Sequence, residues 1–226
     1  MIVRVEDFSQ ERTMRYRQLN FTMLLSLVMM PITTTLLGGS VEVWHPLFNG
    51  KDLTGWTTTG NWRATTDGVL VIQPRPGEMG WQRYADYLWT KKEYQDYVLR
   101  LEYKIPSEGN SGIFIGVKNK QNPVYEGIEI QILDSHGKKE ALTPHDCGGV
   151  IGIQPPNINA ARPAGEWNNI QITCQEDHLL VVLNGRQIVD LNVKQKIGRK
   201  HPLAGYIGLQ DHGLPLEFRN VEIRNL

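Results

Sequence analysis

Strict two-residue alternation in short segments, each cut off by turn residues, is the feature that most constrains this chain. Tyr97, Leu99, Leu101, Tyr103 and Ile105 take one parity while Arg100, Glu102 and Lys104 take the other. Side chains that alternate in this way belong on a strand with one buried face. The run ends at Pro106-Ser107-Glu108-Gly109-Asn110, a cluster of turn formers. Further alternating runs contain Ile113, Ile115 and Val117; Ile128, Ile130 and Ile132; and Ile170 and Ile172. Leu179–Leu183 and Arg186–Leu191 flank Asn184-Gly185, two residues that accept the positive φ of a type I′ hairpin turn. Tyr206–Gln210 and Glu217–Arg224 complete the series. No stretch carries the longer period of an extended helix. Such a chain closes its core by packing sheet on sheet, as a sandwich or barrel.

Residues 1–40 are of a different character. Met23–Leu37 is mostly apolar but only fifteen residues long, short of the roughly 20 that span a bilayer. Arg15 and Arg17 precede it and Gly38, Gly39 and Ser40 follow. A basic start, a short apolar run and a small-residue exit predict a secretory signal peptide. Met14 makes a more ordinary first residue for it than Met1, and cleavage is expected after Ser40. The mature chain is then one domain, 41–226, exported to the periplasm or beyond, with no stable membrane span. In that compartment a Cys147–Cys174 disulfide is permitted.

Charge narrows the partners. The 226 residues carry 24 Lys+Arg against 24 Asp+Glu, and a neutral chain lacks the cationic excess that meets a phosphate backbone, so no nucleic acid is expected. Two cysteines are too few for a four-thiolate zinc site. His136, His145, Asp146 and Asp134 lie in loops at spacings that match no defined metal site. No cofactor is expected, with calcium on loop oxygens left as an alternative. The oligomeric state is not written in the sequence.

The informative polar residues sit opposite buried ones. In Tyr125–Asp134 the three isoleucines take one face, so Glu129 and Gln131 share the other, about 7 Å apart. A Glu and a Gln on one sheet face suit the grip of sugar hydroxyls, and the Glu is able to serve as acid, base or nucleophile. A plain solvated face is the alternative. Asn110-Ser111-Gly112 opens one strand and Gln210-Asp211-His212-Gly213 ends another, with Gln210 also opposite the core parity. Trp81, in the Gly/Pro-rich GEMGW loop, is the tryptophan best placed to stack on a sugar, while most of the six tryptophans are expected in the core.

Taken in order, FNGKDLTGW (48–56), GNSGIFI (109–115), YEGIEIQILDS (125–135), PAGEWN (163–168), LNG (183–185) and GYIGLQDHG with FRNVEI (205–223) resemble the 3-keto-disaccharide hydrolase domains. The resemblance covers essentially all of 45–226. It implies an all-β fold, a jelly-roll sandwich of two antiparallel sheets like the concanavalin A-like lectins and glucanases, with the IEIQ strand across a carbohydrate cleft. It also implies cleavage of glycosides already oxidised to a ketone at carbon 3. Family members often carry Arg just after NSGIF, where this chain has Gly116; Arg83, Arg100 and Lys118 are the cations able to replace it.

That chemistry needs a base at carbon 2, donors for an enolate oxygen and an acid for the leaving oxygen. Glu129 is the expected base and His212 the acid or enolate donor, with Asp134 available to orient a histidine or to cap a turn. Gln131, Asn110, Gln210, Trp81 and Tyr125 are the expected substrate contacts. Two alternatives stand beside this: a non-catalytic carbohydrate-binding domain, and a conventional glycosidase, which needs a second carboxylate about 5 to 9.5 Å away. Glu126 is a poor second carboxylate, being three residues from Glu129 on an expected strand.

Overall fold

The protein is described by a computed structural model over residues 42–198 and 203–226. The expected signal peptide, 1–40, lies outside the described residues. Among the described residues no helix is long and apolar enough to cross a membrane.

Among the described residues thirteen strands form two sheets in which every pair runs antiparallel. The strands are β1 (His45–Pro46), β2 (Trp56–Thr57), β3 (Trp62–Ala64), β4 (Leu70–Ile72), β5 (Leu88–Thr90), β6 (Tyr97–Lys104) and β7 (Asn110–Val117). There follow β8 (Ile128–Leu133), β9 (Asn168–Gln175), β10 (His178–Leu183), β11 (Arg186–Asn192), β12 (Tyr206–Leu209) and β13 (Leu216–Asn225). The larger sheet runs β11-β10-β9-β6-β13-β4-β3, with β1 also on β13; the smaller runs β2-β5-β12-β7-β8. Among the described residues two short α-helices, α1 (Pro123–Glu126) and α2 (Val193–Ile197), and a 3-10 turn at Tyr84–Asp86 interrupt them. This is the jelly-roll sandwich that the alternation and the resemblance imply.

Alternation explains the core. Leu99, Leu101 and Tyr103 from β6, Ile170 and Ile172 from β9, and Leu179, Val181 and Leu183 from β10 face inward from the larger sheet. Ile113, Ile115, Ile128, Ile130, Ile132, Ile207 and Leu209 meet them from the smaller. The turn at Asn184 (φ 49°) and Gly185 (φ 76°) joins β10 to β11 with both residues left-handed, as a type I′ hairpin requires. On the outer face of the larger sheet, Arg100 pairs with Glu222, Arg219 with Glu102 and Lys104 with Glu217. Trp44 lies beneath Arg100 and Trp167 beneath Arg219. Three of the six tryptophans, Trp56, Trp62 and Trp89, are buried, fewer than expected.

Two local expectations are corrected, and the disulfide that the expected compartment would permit is not formed. Val117 does not share a face with Ile113 and Ile115. Gly116 adopts φ 64° at a bulge, where the register jumps from Tyr206↔Val117 to Gly208↔Phe114. The extra residue turns Val117 over, so it packs with Tyr87, Trp89 and Phe114 on the far side of the sheet. Tyr125 and Glu126 are not on the strand: Pro123 opens a single helical turn there, and β8 starts at Ile128. The cysteines are both free and buried. Cys147 meets the Tyr103 hydroxyl at 2.9 Å, whereas Cys174 is paired in register with Tyr97 at the opposite end of β6. Six residues of strand, about 20 Å, separate those two tyrosines, which is far beyond disulfide reach.

Candidate active site

The smaller sheet turns one face to the core and the other outward. At one end of the outward face, Tyr87, Trp89, Phe114 and Val117 form an apolar cluster. Gly208 makes room for it: a Cβ there would stand 2.2 Å from the Trp89 ring. At the other end the same parity delivers polar groups. Glu129 and Gln131 come from β8, Asn110 from the start of β7, and Gln210 and His212 from the chain leaving β12.

These five, with Trp81, Val124, His145 and Ile151, line a cavity of about 310 Å³. Glu129 is its centre of interest. Its carboxylate accepts from Gln210 Nε2 at 3.0 Å. Burial nevertheless pushes its pKa up to about 7, the Gln210 hydrogen bond opposing only in part. Space for the carboxylate is provided across the ladder by Gly112, where a Cβ would lie 2.2 Å from Oε1. Gln131 Nε2 donates to Asn110 Oδ1 at 3.3 Å, tying the floor of the cavity together. Burial lowers the His212 pKa, leaving the ring neutral near neutral pH. Among the described residues that line the cavity, Glu129 is the one carboxylate.

Next to it lies a second cavity of about 200 Å³ that shares Val124, Glu129 and Ile151 with the first. Behind His212, the fully buried Asp211 meets Arg83 Nη2 at 2.6 Å, and its Oδ1 accepts from the Gly213 amide. Arg83 also reaches Asp86 at 3.1 Å. The loop that carries Trp81 is held over the site by two more bonds. Gly80 N–H donates to the His212 carbonyl, and the Tyr87 hydroxyl to the Trp81 carbonyl.

Six of the eight expected side chains therefore converge: Glu129, His212, Gln131, Asn110, Gln210 and Trp81. Tyr125 and Asp134 do not line the cavity. Tyr125 is 73% exposed on α1, and Asp134 lies beyond β8, where its Oδ2 accepts from the Glu108 amide and closes the turn before β7. Of the cations considered in place of Gly116, Arg100 is paired on the larger sheet and Lys118 with Glu93. Only Arg83 stands beside the site. The sequence singles out His145 solely as a metal candidate, gives Gly112 only as part of the Asn110-Ser111-Gly112 strand start, and does not point to Val124 or Ile151. Gly112 carried a usable signal, since a glycine inside a strand marks close approach. His145 and Ile151 carried none, because they arrive on the loop that pairs with the free edge of β8, with Ile151 N donating to the Glu129 carbonyl. Among the described residues no three His, Cys, Asp or Glu side chains gather as a metal-holding group.

Comparisons with known proteins place the chain's family and fold. A 3-keto-disaccharide hydrolase of Bacteroides thetaiotaomicron is 28% identical over 224 residues, covering 80% of this chain and 77% of the relative. A crystal structure from Parabacteroides distasonis, assigned as a glycosyl hydrolase, superposes with a TM-score of 0.68 at 29% identity, over 82% of this chain and 100% of that one. The carbohydrate-binding module CBM66 of Bacillus subtilis shares the fold, with a TM-score of 0.51 at 16% identity over 76% of this chain and 96% of the module. Residues 43–224 match the profile of the 3-keto-alpha-glucoside-1,2-lyase-like domain, and the chain belongs to that family.

Proposed function

We propose that this chain is an exported enzyme that cleaves 3-keto-glycosides, using Glu129 as a base at carbon 2. The ketone acidifies the carbon-2 hydrogen. Glu129 takes that proton, and the electron pair it leaves spreads onto the carbon-3 oxygen as an enolate. Collapse of the enolate breaks the carbon-1–oxygen bond, and the departing oxygen takes up a proton. Water then adds its oxygen to carbon 1 while a proton returns to carbon 2, so the sum is hydrolysis. The neutral His212 ring donates a hydrogen bond to the enolate oxygen. Gln131, Asn110 and Gln210 orient hydroxyls, and Trp81 stacks on the ring at the cavity mouth.

The observation that carries this reading is a single, half-buried carboxylate among the amides of Asn110, Gln131 and Gln210 and the ring of His212, where desolvation raises its pKa to about 7. A base works best with its pKa near the working pH, and proton abstraction needs one such group where ordinary glycosidases need two. The family description and the named relative support the oxidised substrate. The test is release of the leaving group from a chromogenic 3-keto-glucoside beside the unoxidised glucoside. Turnover of the keto substrate alone is expected, with E129Q losing about 10²- to 10⁴-fold in kcat and keeping its affinity for the sugar. Cleavage of the plain glucoside, or full activity in E129Q, would overturn it. Binding without turnover of either substrate would favour a lectin.

A further inference from the structure

The cleavage proposed above leaves one proton without a source. The departing oxygen must take one up, and the amides in the cavity have none to give. Among the described residues that line it, the side chains that exchange protons near neutral pH, besides Glu129, are His212 and His145. They enter from opposite sides. Backbone pairing sets Gln210, Gly112, Gln131 and Gly149 in a row: Gln210 N donates to the Gly112 carbonyl, Gly112 is in register with Gln131, and Gln131 N donates to the Gly149 carbonyl. Three such spacings make about 14 Å. His212 follows Gln210 at one end of the row, and His145 precedes Gly149 at the other. Between them the Glu129 carboxylate passes over Gly112 to meet Gln210. The ring of His145 is exposed, but its loop is fixed. Buried Asp146 accepts from Lys138 Nζ at 2.7 Å and from both the amide and the hydroxyl of Thr143. Gly149 packs so closely that a Cβ would stand 2.5 Å from the Pro144 carbonyl oxygen.

A 3-keto-glycoside has a matching layout. Carbons 1 and 3 are the two ring neighbours of carbon 2, so with the carbon-2 hydrogen on Glu129 the departing oxygen and the ketone oxygen lie on either side of the base. His212, half-buried and held neutral by desolvation, is suited to hydrogen-bond the enolate. His145, in contact with water, is able to lose a proton and regain it. We propose that His145 is the general acid that protonates the departing oxygen and then the general base that activates water. The assignment rests on the 3-keto-glycoside cleavage proposed above and completes its proton balance. As the carbon-1–oxygen bond breaks, the imidazolium N–H proton passes to the departing oxygen. The neutral ring left behind then takes a proton from the water whose oxygen bonds to carbon 1. Carbon 2 recovers its proton from Glu129, so both groups end as they began.

Two leaving groups isolate the step. 4-Nitrophenol is acidic enough to depart as its anion, so its rate follows Glu129 alone, whereas methanol must be protonated as it leaves. His145→Ala is expected to lose about 10²- to 10⁴-fold in kcat/KM on methyl 3-keto-glucoside and less than about tenfold on the 4-nitrophenyl compound. Turnover of the latter also shows that the variant is folded. In D2O the uncleaved methyl compound should exchange its carbon-2 hydrogen for deuterium in the variant, followed by NMR, because Glu129 still ionises carbon 2 while expulsion stalls. Equal losses on both substrates, undiminished turnover of the methyl compound, or loss of that turnover without exchange would overturn the role of His145 while 3-keto cleavage stands. Failure of the native chain on every keto substrate would instead overturn the cleavage reading, and the role of His145 with it.

Discussion

The proposed base, Glu129, carries a cost to the fold. Its carboxyl ionises near pH 7 when folded and around 4.5 when unfolded, so between those values the folded chain holds a proton that the unfolded chain has released. Stability contributed by this group is therefore greatest below about 4.5 and falls as pH rises through about 7. Activity runs the opposite way, because only the ionised form accepts a proton. We expect kcat/KM to climb through an apparent pKa near 7 and then level off, read from initial rates across pH 5 to 9. E129Q should be more stable than the native chain at pH 8 by up to about 3 kcal/mol, with the gap closing toward pH 5, measured by urea unfolding. Gly112 gives a separate test. A Cβ at 2.2 Å from Oε1 must push the carboxylate aside, and a base displaced by about 1 Å loses on the order of 10²-fold in rate. Gly112→Ala should therefore cut kcat and lower the unfolding midpoint as well, since its Cβ would also stand 2.9 Å from Cγ and Cδ of Glu129.

Elements show how far the sequence could be read. Parity alone assigned Glu129, Gln131 and Gln210 to the outward face, because three isoleucines on one side of β8 and Ile207 with Leu209 on β12 leave no other choice. The Asn184-Gly185 turn was equally legible, since its residues state their own backbone conformation. Parity failed at Gly116, where a left-handed residue adds one to the count and sends Val117 across the sheet. It failed again at Pro123, whose preference for a first helical position took Tyr125 off β8 and out to solvent. Side-by-side placement of β7, β8 and β12 depends on which strands pair, and no local pattern encodes that. The Arg83–Asp211 pair is of this kind: 128 positions apart, it fastens the Trp81 loop to the segment that bears Gln210 and His212. Burial raises the Asp211 pKa even with Arg83 beside it, so removing Arg83 leaves an uncompensated buried carboxylate. Arg83→Ala is expected to cost about 2 to 3 kcal/mol near neutral pH, with a smaller deficit in acid where Asp211 takes a proton. A deficit independent of pH would show that the pair does not hold these segments.

At the scale of the whole molecule, the sandwich is held without a disulfide. Cys147 and Cys174 are buried, unpaired and hung from opposite ends of β6, and burial pushes the Cys174 thiol up to about 12. Neither thiol is reactive while folded. The melting temperature should be the same with and without reductant, and both thiols should react with a maleimide only in denaturant. Prompt labelling of the native protein, or a reductant-sensitive melt, would contradict this arrangement. The six residues that converge on one cavity come from four separate stretches of chain, so the site exists only once the smaller sheet has closed.

The strand that bears Glu129 is the last of its sheet, and its free edge is paired by the loop around Val150. Gly148, Gly149 and Ile151 exchange backbone bonds with Gln131 and Glu129, while Ile151 and Ile153 also wall the two cavities. Uncovered strand edges recruit other chains and seed aggregation. Protection of this edge and part of the cavity wall thus come from the same few residues. A change in this loop that breaks its backbone ladder therefore exposes the edge of β8 beside the candidate site.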